Sequence, residues 1–122
     1  MLISEITSYD SSISVNEFVF DGKSMWIPVD VRTRIKGAIV DAETLKVVTI
    51  TLGINGVPYT FEVQKAKVMF AHLEAYALEV NNNTLSHLQS IKQLETLDDV
   101  LSYDYTQGYP AKLTFAVNGD LM

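Results

Sequence analysis

Residues 48–94 read VTITLGINGVPYTFEVQKAKVMFAHLEAYALEVNNNTLSHLQSIKQL, and one change of period inside them decides the fold class. Val48, Ile50 and Leu52 alternate with Thr49 and Thr51, and Val57, Tyr59, Phe61 and Val63 alternate with Pro58, Thr60 and Glu62. A period of two is that of a strand with one wet face. Asn55-Gly56, between the two runs, tolerates the positive φ of a tight turn, so an antiparallel hairpin is expected here. Pro58 has no amide to donate, which puts its strand at an edge, or the residue at a strand start or bulge.

Beyond Gln64 the apolar spacing becomes three and four, through Ala66, Met69, Phe70, Leu73, Tyr76, Ala77, Val80, Thr84, Leu88, Ile91 and Leu94. That is one face of a helix, and a single long helix over 64–94 is expected. Asn81, Asn82 and Asn83 are poor helix formers, so the alternative is two helices broken there, with Thr84 capping the second.

Working outward, VNEFVFDGKSMWI from Val15 to Ile27 places Asp21-Gly22 between two β-rich runs and reads as a first hairpin. Pro28 and Asp30 punctuate the chain, Asp30 as the expected N-cap of a helix carrying Val31, Ile35, Ala38, Ile39, Ala42 and Leu45 on one face. Residues 1–13 read as an arm or edge strand ending in the Ser8–Ser12 turn. Thr96, followed by Asp98 and Asp99, starts a short helix ending near Tyr103, since carboxylates suit the positive end of a helix. Gly108 and Pro110 make a turn, and Lys112–Val117 alternates as a closing strand with Leu113, Phe115 and Val117 inward. The expected architecture is a single α+β domain over residues 1–122. Two hairpins and the closing strand form an antiparallel sheet, packed on one short and one long helix.

The bulk properties limit function. With 48% hydrophobic and 20% charged residues, a 122-residue chain is an ordinary globular protein. A net charge of −6 without a Lys/Arg patch repels phosphate backbones and anionic lipid, so neither nucleic acid nor a membrane is an expected partner. No apolar run approaches the roughly 20 residues that cross a bilayer. The amino terminus, MLISEITSYDSS, lacks the basic and apolar regions of a secretory signal, so cytoplasmic synthesis is expected. The absence of cysteine removes disulfides, thiolate metal sites and a cysteine nucleophile.

Residues with chemistry divide poorly into sites. His72 and His87 are about 22 Å apart on a continuous helix at 1.5 Å per residue, too far to share an ion, and read as surface or boundary residues. Asp98, Asp99 and Asp104 lack the ligand order of a calcium loop and read as helix-capping carboxylates. The six glycines form neither a dinucleotide nor a phosphate-loop pattern, and no G-x-S-x-G elbow accompanies the histidines. No metal, no cofactor and no enzymatic activity are expected. Tyr103, Tyr105 and Tyr109, before Pro110, offer amphipathic area for protein contact. The competing and favoured role for Tyr103 and Tyr109 is to lid the core with their hydroxyls in water. Trp26, between Met25 and Ile27, reads as core.

From Trp26 onward the landmarks come in a recognisable order. MWIPVDVRTRIKGAI is followed by the Asn-Gly hairpin, then by HLEAYALEVNNNTLSHLQSIKQL and by ETLDDVLSYDYTQGYP before an apolar ending. This order resembles a family of uncharacterised phage and prophage proteins found among tail-fibre and virion-assembly genes, and the threonine-capped short helix with its Gly-aromatic-Pro turn is the most telling part. The N-terminal arm and first hairpin lie outside the resemblance. It implies a bacteriophage accessory protein acting by protein–protein contact in tail, tail-fibre or baseplate assembly, as virion component or chaperone. The expected partner is another phage protein or a second copy in a homo-oligomer, in the host cytoplasm on synthesis or in the virion. The alternative is a small acidic phage-encoded inhibitor or regulator that occupies a basic site on a host protein.

Overall fold

Both Gly-containing turns fold as their chemistry demands. Asp21 and Gly22 have φ of 50° and 73°, and Asn55 and Gly56 have 51° and 78°, so each pair supplies the two positive φ values of a two-residue hairpin turn. The computed structural model describes the backbone of residues 2–122 and the side chains of all of these except 13 and 14. Its elements are α1 (Leu2–Asp10), α2 (Ile13–Asn16), β1 (Phe18–Phe20), β2 (Lys23–Met25), α3 (Val29–Thr44), β3 (Thr49–Ile54), β4 (Val57–Glu62), α4 (Val63–Ile91), α5 (Leu97–Ser102) and β5 (Thr114–Phe115). The fold is α+β, as expected.

Two compact units share the chain. One comprises the described residues up to Asn16 together with Tyr76–Ala111, the other Glu17–Ala75 with Lys112–Met122. Helix α4 contributes its opening turns to the second unit and the rest to the first.

The second unit holds the apolar core. β3 and β4 pair antiparallel from Thr49↔Glu62 to Ile54↔Val57, with Leu52, Ile54 and Phe61 buried, while Thr51 and Thr60 join hydroxyls at 2.8 Å on the exposed face. Pro58 sits opposite Gly53 in this two-stranded sheet, where each strand has a free edge. Val48 lies just outside β3 and is exposed, and Val63 begins α4 instead of ending β4. Phe18, Phe20, Phe61, Phe70 and Phe115 lie in one buried cluster. Edge-on ring pairs such as Phe18–Phe115 (6.0 Å between centroids) and Phe20–Phe61 (5.8 Å) order it.

Four expectations change in this unit. The strands form two sheets, β2-β1-β5 and β3-β4, and β5 runs parallel to β1 through Val19↔Thr114 and Phe20↔Phe115. Alternation fixes which side chains face inward, here Phe115, but neither strand direction nor neighbour; a crossover as long as residues 21–113 permits the parallel pairing. Val117 is exposed because the strand ends at Phe115 and the chain turns back at Gly119, whose φ is 93° and whose added Cβ would stand 3.2 Å from Phe61 Cδ1. Trp26 is 37% exposed, since the alternation that buries Met25 and Ile27 turns the residue between them outward. Finally, α3 starts at Val29 behind Pro28, whose carbonyl accepts from Arg32 N, so Asp30 sits in the first turn and is not the cap.

In the first unit, residues 2–10 are helical and not an arm or edge strand; residue 1 lies outside the described residues. Leu2, Ile6 and Tyr9 recur at helical spacing, and Ile6 is wholly buried. Helix α4 is continuous through Asn81–Asn83, and its 29 residues span about 44 Å. Thr96 caps α5 as expected, its hydroxyl accepting from Asp99 N at 3.1 Å.

Candidate protein-contact surfaces

The three tyrosines singled out in the sequence come together around the latter part of α4, but two of them are turned inward by polar partners. Tyr103 Oη lies 2.5 Å from His87 Nδ1, and His87 Nε2 lies 2.8 Å from the Gln107 carbonyl. A carbonyl can only accept, so the neutral ring that satisfies both contacts carries its proton on Nε2 and takes the Tyr103 hydroxyl proton at Nδ1. Asn83 Nδ2 donates to the same carbonyl at 2.9 Å, which explains a poor helix former inside α4. His87 is 8% exposed, so it is a core residue and not the surface or boundary residue expected.

A second chain runs beside it. Thr84 Oγ1 donates to Asp10 Oδ1 at 2.7 Å and receives the Tyr109 hydroxyl proton at 2.7 Å. Burial, with the negative charge of Asp10 nearby, raises the Tyr109 pKa above its ordinary value despite the Thr84 bond. The hydroxyls of Tyr103 and Tyr109 are therefore spent inside the protein and do not reach for water. Tyr105 stacks edge-on against Tyr9 (5.6 Å), which also meets Tyr109 (5.3 Å). Tyr9 and Tyr105 line a shallow depression of about 400 Å³ with Ser4, Glu5, Ser8 and Ser12, leaving Tyr105 as the tyrosine best placed to touch a partner.

Asp98 and Asp99 occupy the first turn of α5, as capping chemistry predicts. Asp104 instead closes a local turn, accepting from Thr106 N and the Thr106 hydroxyl and from Gln107 Nε2, bonds that hold its carboxyl below the ordinary range. Glu95, Asp98, Asp99 and Asp104 are all exposed. His72, in the second unit, lies half-buried with its ring 6.5 Å from that of Phe115. Among the described residues no three His, Asp or Glu groups are placed to hold a metal ion, and no helix is long and apolar enough to cross a membrane.

The second unit carries a groove that the sequence reading missed. It encloses about 280 Å³ between α3 and α4, floored by Ile39 and Phe70, with Val40 (58% exposed) and Ala71 at the surface. Ion pairs cross it at both ends: Lys36 Nζ to Glu74 Oε2 at 4.0 Å, reinforced by Arg32 Nε to Glu74 Oε1 at 3.0 Å, and Lys67 Nζ to Glu43 Oε2 at 3.1 Å. The Lys67 and Gln64 hydrogen bonds hold the Glu43 carboxyl below its ordinary range. Partly exposed ion pairs of this kind contribute little to stability, and they set charge along both walls. A signal was present: Lys36/Glu43 and Lys67/Glu74 repeat one charge order at a spacing of seven residues, two turns of helix.

Compared with protein-family models, curated proteins and solved structures, the chain matches none of them.

Proposed function

We propose that this protein is a phage or prophage accessory protein that acts by protein–protein contact in tail, tail-fibre or baseplate assembly, as a virion component or chaperone. The observation that carries the contact reading is the α3/α4 groove, an apolar floor with exposed Val40 between charged walls. Protein interfaces are built in this way, with an apolar centre inside a polar rim. The phage context comes from the resemblance that runs from Trp26 onward, and the host cytoplasm or the virion is the corresponding location. No cofactor enters the reading.

Co-expression with tail-fibre and baseplate proteins tests it. A complex is expected that survives high salt and is lost in Val40→Glu, because the contact is chiefly apolar. Failure to retain any such protein would overturn the assembly reading.

The exposed Glu95, Asp98, Asp99 and Asp104 favour a second reading, an acidic inhibitor or regulator seated on a basic site of a host protein. That reading expects capture of a host protein at low salt, release at high salt, and loss on Asp98→Asn/Asp99→Asn with Val40→Glu unaffected.

A further inference from the structure

We propose that the α3/α4 groove is the interface of a symmetric dimer, its occupant the same groove of a second copy of this chain. The inference rests on the protein-contact reading and adds the partner.

The charge pattern is the first observation. Lys36 pairs with Glu74 and Glu43 with Lys67, so numbering rises along α3 as it falls along α4, and the helices run antiparallel at the groove. The four charges therefore stand at the corners of a face with like signs on the diagonals. A second copy turned about a two-fold axis lying in that face, along or across the helices, brings every Lys opposite a Glu. An arrangement with both lysines on one helix would instead oppose like charges for one of those axes. The checkerboard is self-complementary for both, which is what an isologous interface requires.

Gly37 is the second. It lies inside α3, next to Lys36 and one turn from Val40, with an ordinary helical φ. A Cβ placed on it would meet no heavy atom of the described residues within 4 Å. Glycine inside a helix is less stable than alanine, and nothing in the protomer's packing asks for it. A backbone approaching from outside does. Val40 and Ala71, exposed in the groove, provide the apolar centre that such an approach would cover.

Sedimentation velocity from about 0.5 to 200 µM, a range that brackets micromolar affinity, tests the proposal. The wild type is expected to dimerise. Lys36→Glu/Lys67→Glu makes all four corners acidic and Glu43→Lys/Glu74→Lys makes them all basic, so each variant is expected to be monomeric alone. Their equimolar mixture should regain the dimer as one copy of each. Gly37→Leu should remove the dimer while leaving the protomer's circular dichroism and melting intact, since the new side chain enters open space. A wild type that stays monomeric throughout overturns the dimer, as does a dimer that survives all three variants or a mixture that fails to associate. Should the charge variants not fold, Gly37→Leu decides alone: loss of the dimer sustains the proposal and retention overturns it. A monomer that still captures a tail or baseplate protein through Val40 defeats only the dimer, whereas a Gly37-sensitive dimer that captures none defeats only the assembly reading.

Discussion

The two units are held by different physics. In the second, five phenylalanines with Ile, Leu and Met residues bury apolar surface, a force that is large and nearly indifferent to direction. In the first, wholly buried Ile6 and nearly buried Val80 share the interior with Thr84 and His87, and hydrogen bonds decide which side chain goes where. An apolar core tolerates a change of shape better than a change of volume, while a polar interior tolerates neither the loss of a proton donor nor its replacement by an isostere.

The largest effect that can break this contrast is Phe115→Ala. Phe115 is fully buried and ties β5 to β1, so about 3–5 kcal/mol is expected to leave the second unit, read from the urea midpoint. Next is a pair of shape-preserving swaps that sharpens it. Thr84→Val keeps the outline but strands the Asp10 carboxylate and the Tyr109 hydroxyl, at a cost of about 1–3 kcal/mol. Met69→Leu, in the apolar core, should cost less than about 1.5 kcal/mol. Equal losses in the two variants would dissolve the distinction. Thr96→Ala removes the cap of α5 and should cost about 1 kcal/mol, seen as faster amide exchange at Asp99.

The smallest effect is confined to alkaline solution. Burial raises the Tyr109 pKa, so folding favours its protonated form. That contribution is complete below the ordinary tyrosine value of about 10 and fades as pH rises through the higher folded-state value. The difference in urea midpoint between wild type and Tyr109→Phe should shrink accordingly across that window. A difference that grows with pH would reverse the assignment.

Local chemistry was readable and long-range pairing was not. The hairpins followed from Asp21-Gly22 and Asn55-Gly56 because turn conformation is set by the residues that make it. The long helix followed from its stripe, and the Thr96 cap from the acidic residues just after it. By contrast, the Thr84 bonds to Asp10 and Tyr109 join residues 74 and 25 positions apart, and no periodicity encodes such partners. The same limit hid the parallel entry of β5 and made His87 look like a surface residue. Whether the hydroxyls of Tyr103 and Tyr109 face water likewise depended on where His87 and Thr84 lay. Residues 2–10 were misread for another reason: Ile3, Ile6 and Tyr9 fit a strand by type and a helix by spacing, and the spacing prevailed.

The interleaving of the two units also orders events during synthesis. The first unit cannot gather its residues until the chain has emerged through Ala111, and the second still lacks Phe115 then. β1 emerges before its partner, and its Val19 must wait for Thr114, 95 positions later, before the three-stranded sheet is complete. Closing a loop of that length is slow compared with forming a hairpin or a helix. The β1 edge and the apolar side chains around it are thus open to other strands until Thr114 and Phe115 have emerged. A chaperone bound to the nascent chain would find its target there and not in the finished protein.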